Sequence, residues 1–256
     1  MPSNLSLNNP ILISFIIPTY NSEKFLSDTL HSIINQHYEH IEIIIVDGKS
    51  TDQTLNIVHE FDRYIETIIS EEDDGIYDAI NKGINASSGD IIKILNSDDV
   101  LSDDAISETL PIITNLFDKG ERFFTIMSKL NRIDLEGNLL KTWNINPRIG
   151  LFENWNHPTW FTSKQVYDEI GLYSLEYKIA SDYEFHLRQV SSKIKIIRHN
   201  KPLSSMREGG VSDNYSGISE VIKIKTKYHG VLLSTLLKWQ LISFKLLVHL
   251  RNKLLR

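Results

Sequence analysis

The chain has 256 residues, is 41% hydrophobic and 23% charged, carries a formal net charge of −6 and has no cysteine. That apolar content excludes a disordered chain, and the lack of cysteine excludes disulfides, thiolate-ligated zinc and thiol catalysis. The negative balance argues against a nucleic-acid partner. The first ten residues lack the basic start and apolar run of a secretory signal, which places the body in the cytoplasm as an expectation.

Apolar runs at 12–17, 41–46 and 91–95, rich in isoleucine, have the form of strands buried on both faces of a parallel sheet. Between them lie helical stretches. Ser22 is placed to cap a helix over 23–36, Thr51 precedes a second over about 52–62, and Ile76 to Ala86 reads as a third. Ser102 begins another, ending near Phe117; antiparallel strands are expected within 121–150, and Asp182 to Val190 is helical again. Strands alternating with helices predict an α/β fold, a doubly wound, mostly parallel sheet flanked by helices.

In such sheets ligands bind beyond the carboxyl ends of the strands. Those ends read Pro18-Thr19-Tyr20-Asn21, then Asp47-Gly48-Lys49-Ser50-Thr51-Asp52, then Asn96-Ser97-Asp98-Asp99. Taken singly, these are turn and cap residues. Taken together, they bring an acid pair to a polar strand-end cluster. The glycine spacing of a dinucleotide-binding turn is absent. Gly48-Lys49-Ser50 imitates the end of a P-loop, but Ile43 occupies the place of its first glycine. Without a glycine cradle, adjacent aspartates such as Asp98 and Asp99 can hold a divalent cation that bridges a diphosphate.

These three blocks, with Asp74-Gly75-Ile76-Tyr77-Asp78-Ala79-Ile80-Asn81-Lys82-Gly83 between the second and third, resemble the family 2 glycosyltransferases of the GT-A fold, of the bacterial polysaccharide type. The resemblance spans about residues 12–190. It implies a nucleotide-sugar donor, a UDP-sugar before a GDP-sugar, and a divalent cation, Mn²⁺ or Mg²⁺. It implies that Pro18, Thr19, Tyr20 and Asn21 line the nucleoside pocket, with Asp47 and Asp52 by base and ribose. Asp74, Asn81 and Lys82 would lie on the donor side. Of Asp98 and Asp99, one would touch ribose and the other the metal. Gly48 stands where many relatives carry a second acid, and Asn96 stands at the first acid of the usual Asp-x-Asp, so metal ligation rests on Asp98 and Asp99.

Attack by an acceptor hydroxyl needs a carboxylate to take its proton. Asp182 matches the family's base position, which implies an inverting transfer; Ser181 or Asp182 capping the following helix is the plainer alternative, and Glu184 is the fallback base. His157 and Trp160, in a block resembling one that borders acceptor pockets, are acceptor-side candidates together with Trp155, although core packing is the commoner use of a tryptophan. Arg207, before Gly209-Gly210, reads as a loop residue able to meet the diphosphate on closure, or as a surface residue.

The charge is divided along the chain. No acid follows Glu220, and residues 221–256 carry a net +8 against −14 for the first 220. This separates a catalytic domain, 1–220, from a basic, leucine-rich helical tail, 221–256. Lys238 and Lys245 interrupt the apolar stretch 231–250, which disfavours a transmembrane span and fits an amphipathic helix in the membrane interface, with Trp239 and Phe244 as anchors. Packing on the body or in an oligomer is the alternative. The sequence thus predicts a peripheral enzyme on the cytoplasmic face of the inner membrane, acting on a saccharide acceptor, polyprenyl-diphosphate-linked, in surface polysaccharide synthesis. A sugar nucleotidyltransferase or a non-catalytic nucleotide-sugar binder are the competing readings.

Overall fold

The computed structural model describes residues 10–144, 157–192, 194–209 and 217–229. Its first half is β1 (Ile13–Thr19), α1 (Leu26–Ile34), β2 (Ile41–Asp47), α2 (Thr54–Glu60), β3 (Thr67–Ser70), α3 (Ile76–Ala86), β4 (Ile91–Ile94), β5 (Val100–Leu101) and α4 (Ala105–Asp118). There follow β6 (Phe124–Ile133), β7 (Leu139–Trp143), β8 (Phe161–Ser163), α5 (Lys164–Ile170), α6 (Ser181–Ser191), β9 (Lys195–Arg207) and α7 (Ile218–His229).

The strands form one sheet in the order β3-β2-β1-β4-β8-β6-β9-β5, with β7 on β6. From β3 to β4 all pairings are parallel; β8 then runs antiparallel to both β4 and β6, β6 runs parallel to β9, and β5 lies antiparallel to β9. The doubly wound expectation therefore holds for half the sheet, and the other half is mixed. Side chains alternate across the pleat, as strand geometry requires. Ile13, Phe15 and Ile17 of β1 face a core with α1, α2 and α4, while Ile16 faces a second core with α3, α5 and α6. In α3, a Cβ on Gly83 would collide with Ile16 and come within 3.2 Å of Val46, so glycine lets that helix lie close on β1 and β2.

Helix α3 spans the predicted residues. Helix α1 opens later, at Leu26, without a side-chain cap: the Ser22 carbonyl accepts the Phe25 and Leu26 N–H groups, while the Ser22 hydroxyl meets Ser97 at 2.7 Å. The antiparallel strands expected within 121–150 are β6 and β7, but β6 also pairs with β8 and β9. Among the described residues no helix is long and apolar enough to cross a membrane. Trp155 and the tail stretch 231–250 lie outside the described residues.

Candidate functional site

The carboxyl ends of β1, β2 and β3 are tied together at Asp47, which is completely buried. Its Oδ1 accepts the Ser50 hydroxyl at 2.5 Å and the Thr19 hydroxyl at 3.3 Å; its Oδ2 accepts the Ser50 N–H at 3.1 Å and the Ser70 hydroxyl at 2.8 Å. A carboxylate so satisfied fixes the rim of the cleft. Asn21 (φ 50) accepts the Thr51 N–H on its side-chain oxygen at 2.9 Å, locking the loop after β1 to the loop after β2. Asp52 accepts the N–H and hydroxyl of Thr54 and the Glu23 N–H, and so caps the approach to α2. Pro18 and Thr19 are buried beneath, whereas Tyr20 is 65% exposed on the rim.

The β3–α3 loop closes one side of this rim. A Cβ on Gly48 would run into the carboxylate of Asp73, and Asp73 also accepts the Gly75 N–H at 2.9 Å. Asp73, rather than the neighbouring Asp74, thus faces the strand-end cluster. Asp74 is exposed and accepts Lys178 Nζ on its carbonyl at 2.5 Å. Lys82 is paired with Glu71 at 2.9 Å and Asp78 at 3.1 Å. Asn81 is buried, and its amide clamps the backbone of Tyr173, donating to the carbonyl at 2.8 Å and accepting the N–H at 3.0 Å. It holds the α5–α6 connection against α3 with one N–H and its oxygen.

Asp98 and Asp99 differ sharply. Asp99 is 1% exposed, accepts the Asn96 amide at 3.0 Å on one oxygen and the Arg207 N–H at 3.3 Å on the other. Burial, then the charge of Asp98, push its carboxyl well above the usual range. Asp98 is half-buried, and burial raises it too, against the pull of Arg207. Among the described residues no side chain hydrogen-bonds its carboxylate. Arg207 is not a loop residue: it ends β9, is 4% exposed, and donates to the carbonyls of Asp98 and Leu135 and to Asp28 at 3.1 Å, over the Phe25 ring at 4.2 Å. Its donors anchor the acid loop from beneath.

Asp182 opens α6. One of its oxygens accepts the Tyr183 N–H at 2.7 Å and lies 3.1 Å from the Tyr77 hydroxyl. Part of the residue meets solvent, but its carboxyl is surrounded by protein, and burial lifts it to about 6 despite those hydrogen bonds. It is thus ionised at neutral pH yet basic enough to take a proton. Glu184 is 3% exposed and paired with Arg188 at 2.9 Å and the Tyr228 hydroxyl at 2.5 Å, which ties α7 to α6.

His157 and Trp160 lie in the second core. His157 bonds the Tyr173 hydroxyl at 2.9 Å and is pushed down to about 3, by burial and by Lys93, so it is neutral. Trp160 is 3% exposed and stacks with Phe185. Sequence reasoning passed over Tyr77, Asp73 and Lys93. The last was visible as the single charge in the run 91–95; it is fully buried, bonds Ser204 at 3.1 Å and the Pro158 carbonyl, and burial lowers it to about 7.

Divalent metals of the Mg²⁺ class use one or two carboxylates plus phosphate oxygens and water. Asp98 fits that role: among the described residues no side chain hydrogen-bonds its carboxylate, whereas both oxygens of Asp99 are engaged. Among the described residues no three His, Asp or Glu side chains gather into a complete protein cage.

A half-parallel, half-mixed sheet with polar strand ends on one rim is the architecture of the GT-A glycosyltransferases. The chain belongs to glycosyl transferase family 2, whose model matches residues 14–160. It is 28% identical over 209 residues, 79% of each chain, to a PGL/p-HBAD biosynthesis glycosyltransferase of Mycobacterium tuberculosis. It is 34% identical over 142 residues, 54% of this chain and 47% of the relative, to the amylovoran biosynthesis glycosyltransferase AmsB of Erwinia amylovora. Residues 1–349 of S. aureus TarS share the fold with a TM-score of 0.64 at 20% identity, covering 86% of this chain and 66% of that one. A Pyrobaculum calidifontis mannosyltransferase in complex with GDP-Man and Mn²⁺ gives 0.63 at 15% identity, covering 86% and 64%.

Proposed function

We propose that this glycosyltransferase moves a sugar from a nucleotide-sugar donor to a hydroxyl of a saccharide acceptor, with inversion, in the synthesis of a surface polysaccharide. The observation that carries the reading is Asp182, a carboxyl raised to about 6 at the start of α6 and steadied by Tyr77. Deprotonated, it takes the proton of the acceptor hydroxyl as that oxygen bonds to the anomeric carbon. The bond from that carbon to the diphosphate breaks as the new one forms, and the electron pair leaves with the nucleoside diphosphate. Attack opposite the leaving group inverts the configuration. Glu184 does not serve, because both its oxygens are paired inside the fold.

Asp98 is the residue that would hold a Mn²⁺ or Mg²⁺ ion, with Asp99 and Arg207 fixing its loop from below. When bound, the metal stabilises charge on the departing diphosphate. Pro18, Thr19 and Tyr20 form the floor and rim on which the nucleoside lies. Support for a UDP- or GDP-sugar comes from the complexes of structural neighbours, TarS with UDP-GlcNAc and the mannosyltransferase with GDP-Man. Support for a polysaccharide product comes from relatives named for amylovoran and teichuronic acid biosynthesis. The +8 tail favours an anionic membrane surface and a lipid-linked acceptor there.

The test uses the full chain and the UDP- or GDP-sugar that raises its melting temperature in the presence of Mn²⁺. Asp182→Asn should abolish nucleotide release on adding acceptor and keep that thermal shift. Normal turnover in this variant would refute the base assignment.

A further inference from the structure

We propose that Glu220, in the first turn of α7, is a positioning residue for the catalytic base, so that the helix leading into the basic tail is part of the active-site framework. Its Oε1 accepts the Lys178 N–H, and its Oε2 accepts the N–H groups of Ile179 and Ala180, each at 2.9 Å. Three consecutive amides immediately before α6 therefore converge on one carboxylate. Burial opposes its charge, but the three amide bonds outweigh that and hold it below the usual carboxylate range. A negative charge before the N-terminus of α6 is also favoured by the helix dipole.

The same segment is gripped from the opposite side. The Tyr77 hydroxyl lies 2.8 Å from the Ile179 carbonyl and 3.1 Å from Asp182, and Lys178 Nζ reaches the Asp74 carbonyl. Residues 178–182 are thus clamped between the start of α3, on the donor side, and the start of α7. Helix α7 is itself seated: Ile224 is fully buried against Tyr177, Ala180 and Leu187, and Tyr228 bonds Glu184. Without the carboxylate, three amides lose their partner at once, and the bend that leads into Asp182 is free to shift. A shift of about 1 Å at a reacting group lowers rate on the order of a hundredfold. Donor binding, on the strand-end rim, does not pass through this segment. The inference rests on Asp182 being the base.

The experiment compares Glu220→Ala and Glu220→Gln with Asp182→Asn, all in the full chain. Turnover is read as nucleotide release from whichever of UDP-glucose, UDP-GlcNAc or GDP-mannose stabilises the wild type with Mn²⁺; water or added saccharide serves as acceptor. We expect kcat to fall at least tenfold in Glu220→Ala and less in Glu220→Gln, which keeps one acceptor oxygen. The KM for donor should stay within twofold. Hydrogen exchange at amides 178–180 should quicken in the same order. A kcat within twofold of wild type in folded Glu220→Ala, or in Glu220→Gln if the alanine variant does not fold, overturns the inference while Asp182→Asn remains inactive. Turnover in Asp182→Asn instead removes the base reading, and this inference with it.

Discussion

Tyr77→Phe separates the position of Asp182 from its protonation. The substitution removes only the hydroxyl that lies 3.1 Å from the Asp182 carboxylate and 2.8 Å from the Ile179 carbonyl. The ring keeps its stacking on Tyr173, with centroids 5.6 Å apart. A hydrogen bond to a charged acceptor contributes about 1.5 kcal/mol, close to one pKa unit at 1.36 kcal/mol per unit. The hydroxyl donates to the ionised form, so its loss favours the protonated form and raises Asp182 from about 6 to roughly 7. The base works only when ionised, so activity is lost as pH falls through that value. At pH 6 the ionised fraction drops from half to about a tenth, a loss of about fivefold in kcat/KM on top of the pH-independent loss from releasing the Ile179 carbonyl, and at pH 8.5 only that pH-independent loss should remain. The assay is a pH profile of nucleotide release over about pH 5–9, with melting temperatures measured alongside. An acid limb that does not move in Tyr77→Phe would refute the link between this hydroxyl and the base. A uniform fall alone, equal at every pH, would refute it too, and point to misplacement instead.

Asp98→Asn should leave the melting temperature almost unchanged, because no described side chain bonds its carboxylate, and should weaken the dependence of donor binding on Mn²⁺; retention of the full metal effect would remove Asp98 from that role. Asp47→Asn, in contrast, turns a fourfold acceptor into a group with an N–H₂ facing donors. A loss of about 2–3 kcal/mol is expected by denaturant unfolding, and a variant as stable as wild type would show that the knot is not structural. Deleting residues 230–256 removes Lys238, Lys245, Arg251, Lys253 and Arg256 but keeps α7. Release from anionic vesicles with turnover of soluble donor retained is expected, and unchanged sedimentation with vesicles would exclude the tail as the membrane contact.

Residue pattern alone is enough to read the parallel half of the sheet and the polar rim at its strand ends. Runs such as 43–46 are apolar without interruption because both faces of a central parallel strand are buried, and that pattern needs no partner to be read. Helix α3 was equally legible, since its buried positions recur with helical spacing. Strand β9 was not: its burial is uneven, it contains Pro202, and it becomes a strand only by lying between β6 and β5. The site divides in the same way. Residue types and their order named Asp98 and Asp99, because carboxylates at a strand end are local features, and the family resemblance added Asp182. Which oxygens were already in use was decided by groups far away in the chain. Arg207 and Asn96 commit Asp99, while no described side chain bonds the Asp98 carboxylate; Tyr173 bonds Asn81; Arg188 and Tyr228 occupy Glu184. Glu220 shows the same divide most plainly. In sequence it is the last acid before a basic tail, and only the docking of α7 brings its carboxylate to the three amides that precede α6. Local pattern sets where a polar group can stand, but whether it is free to act depends on long-range packing that satisfies or spares each buried donor and acceptor.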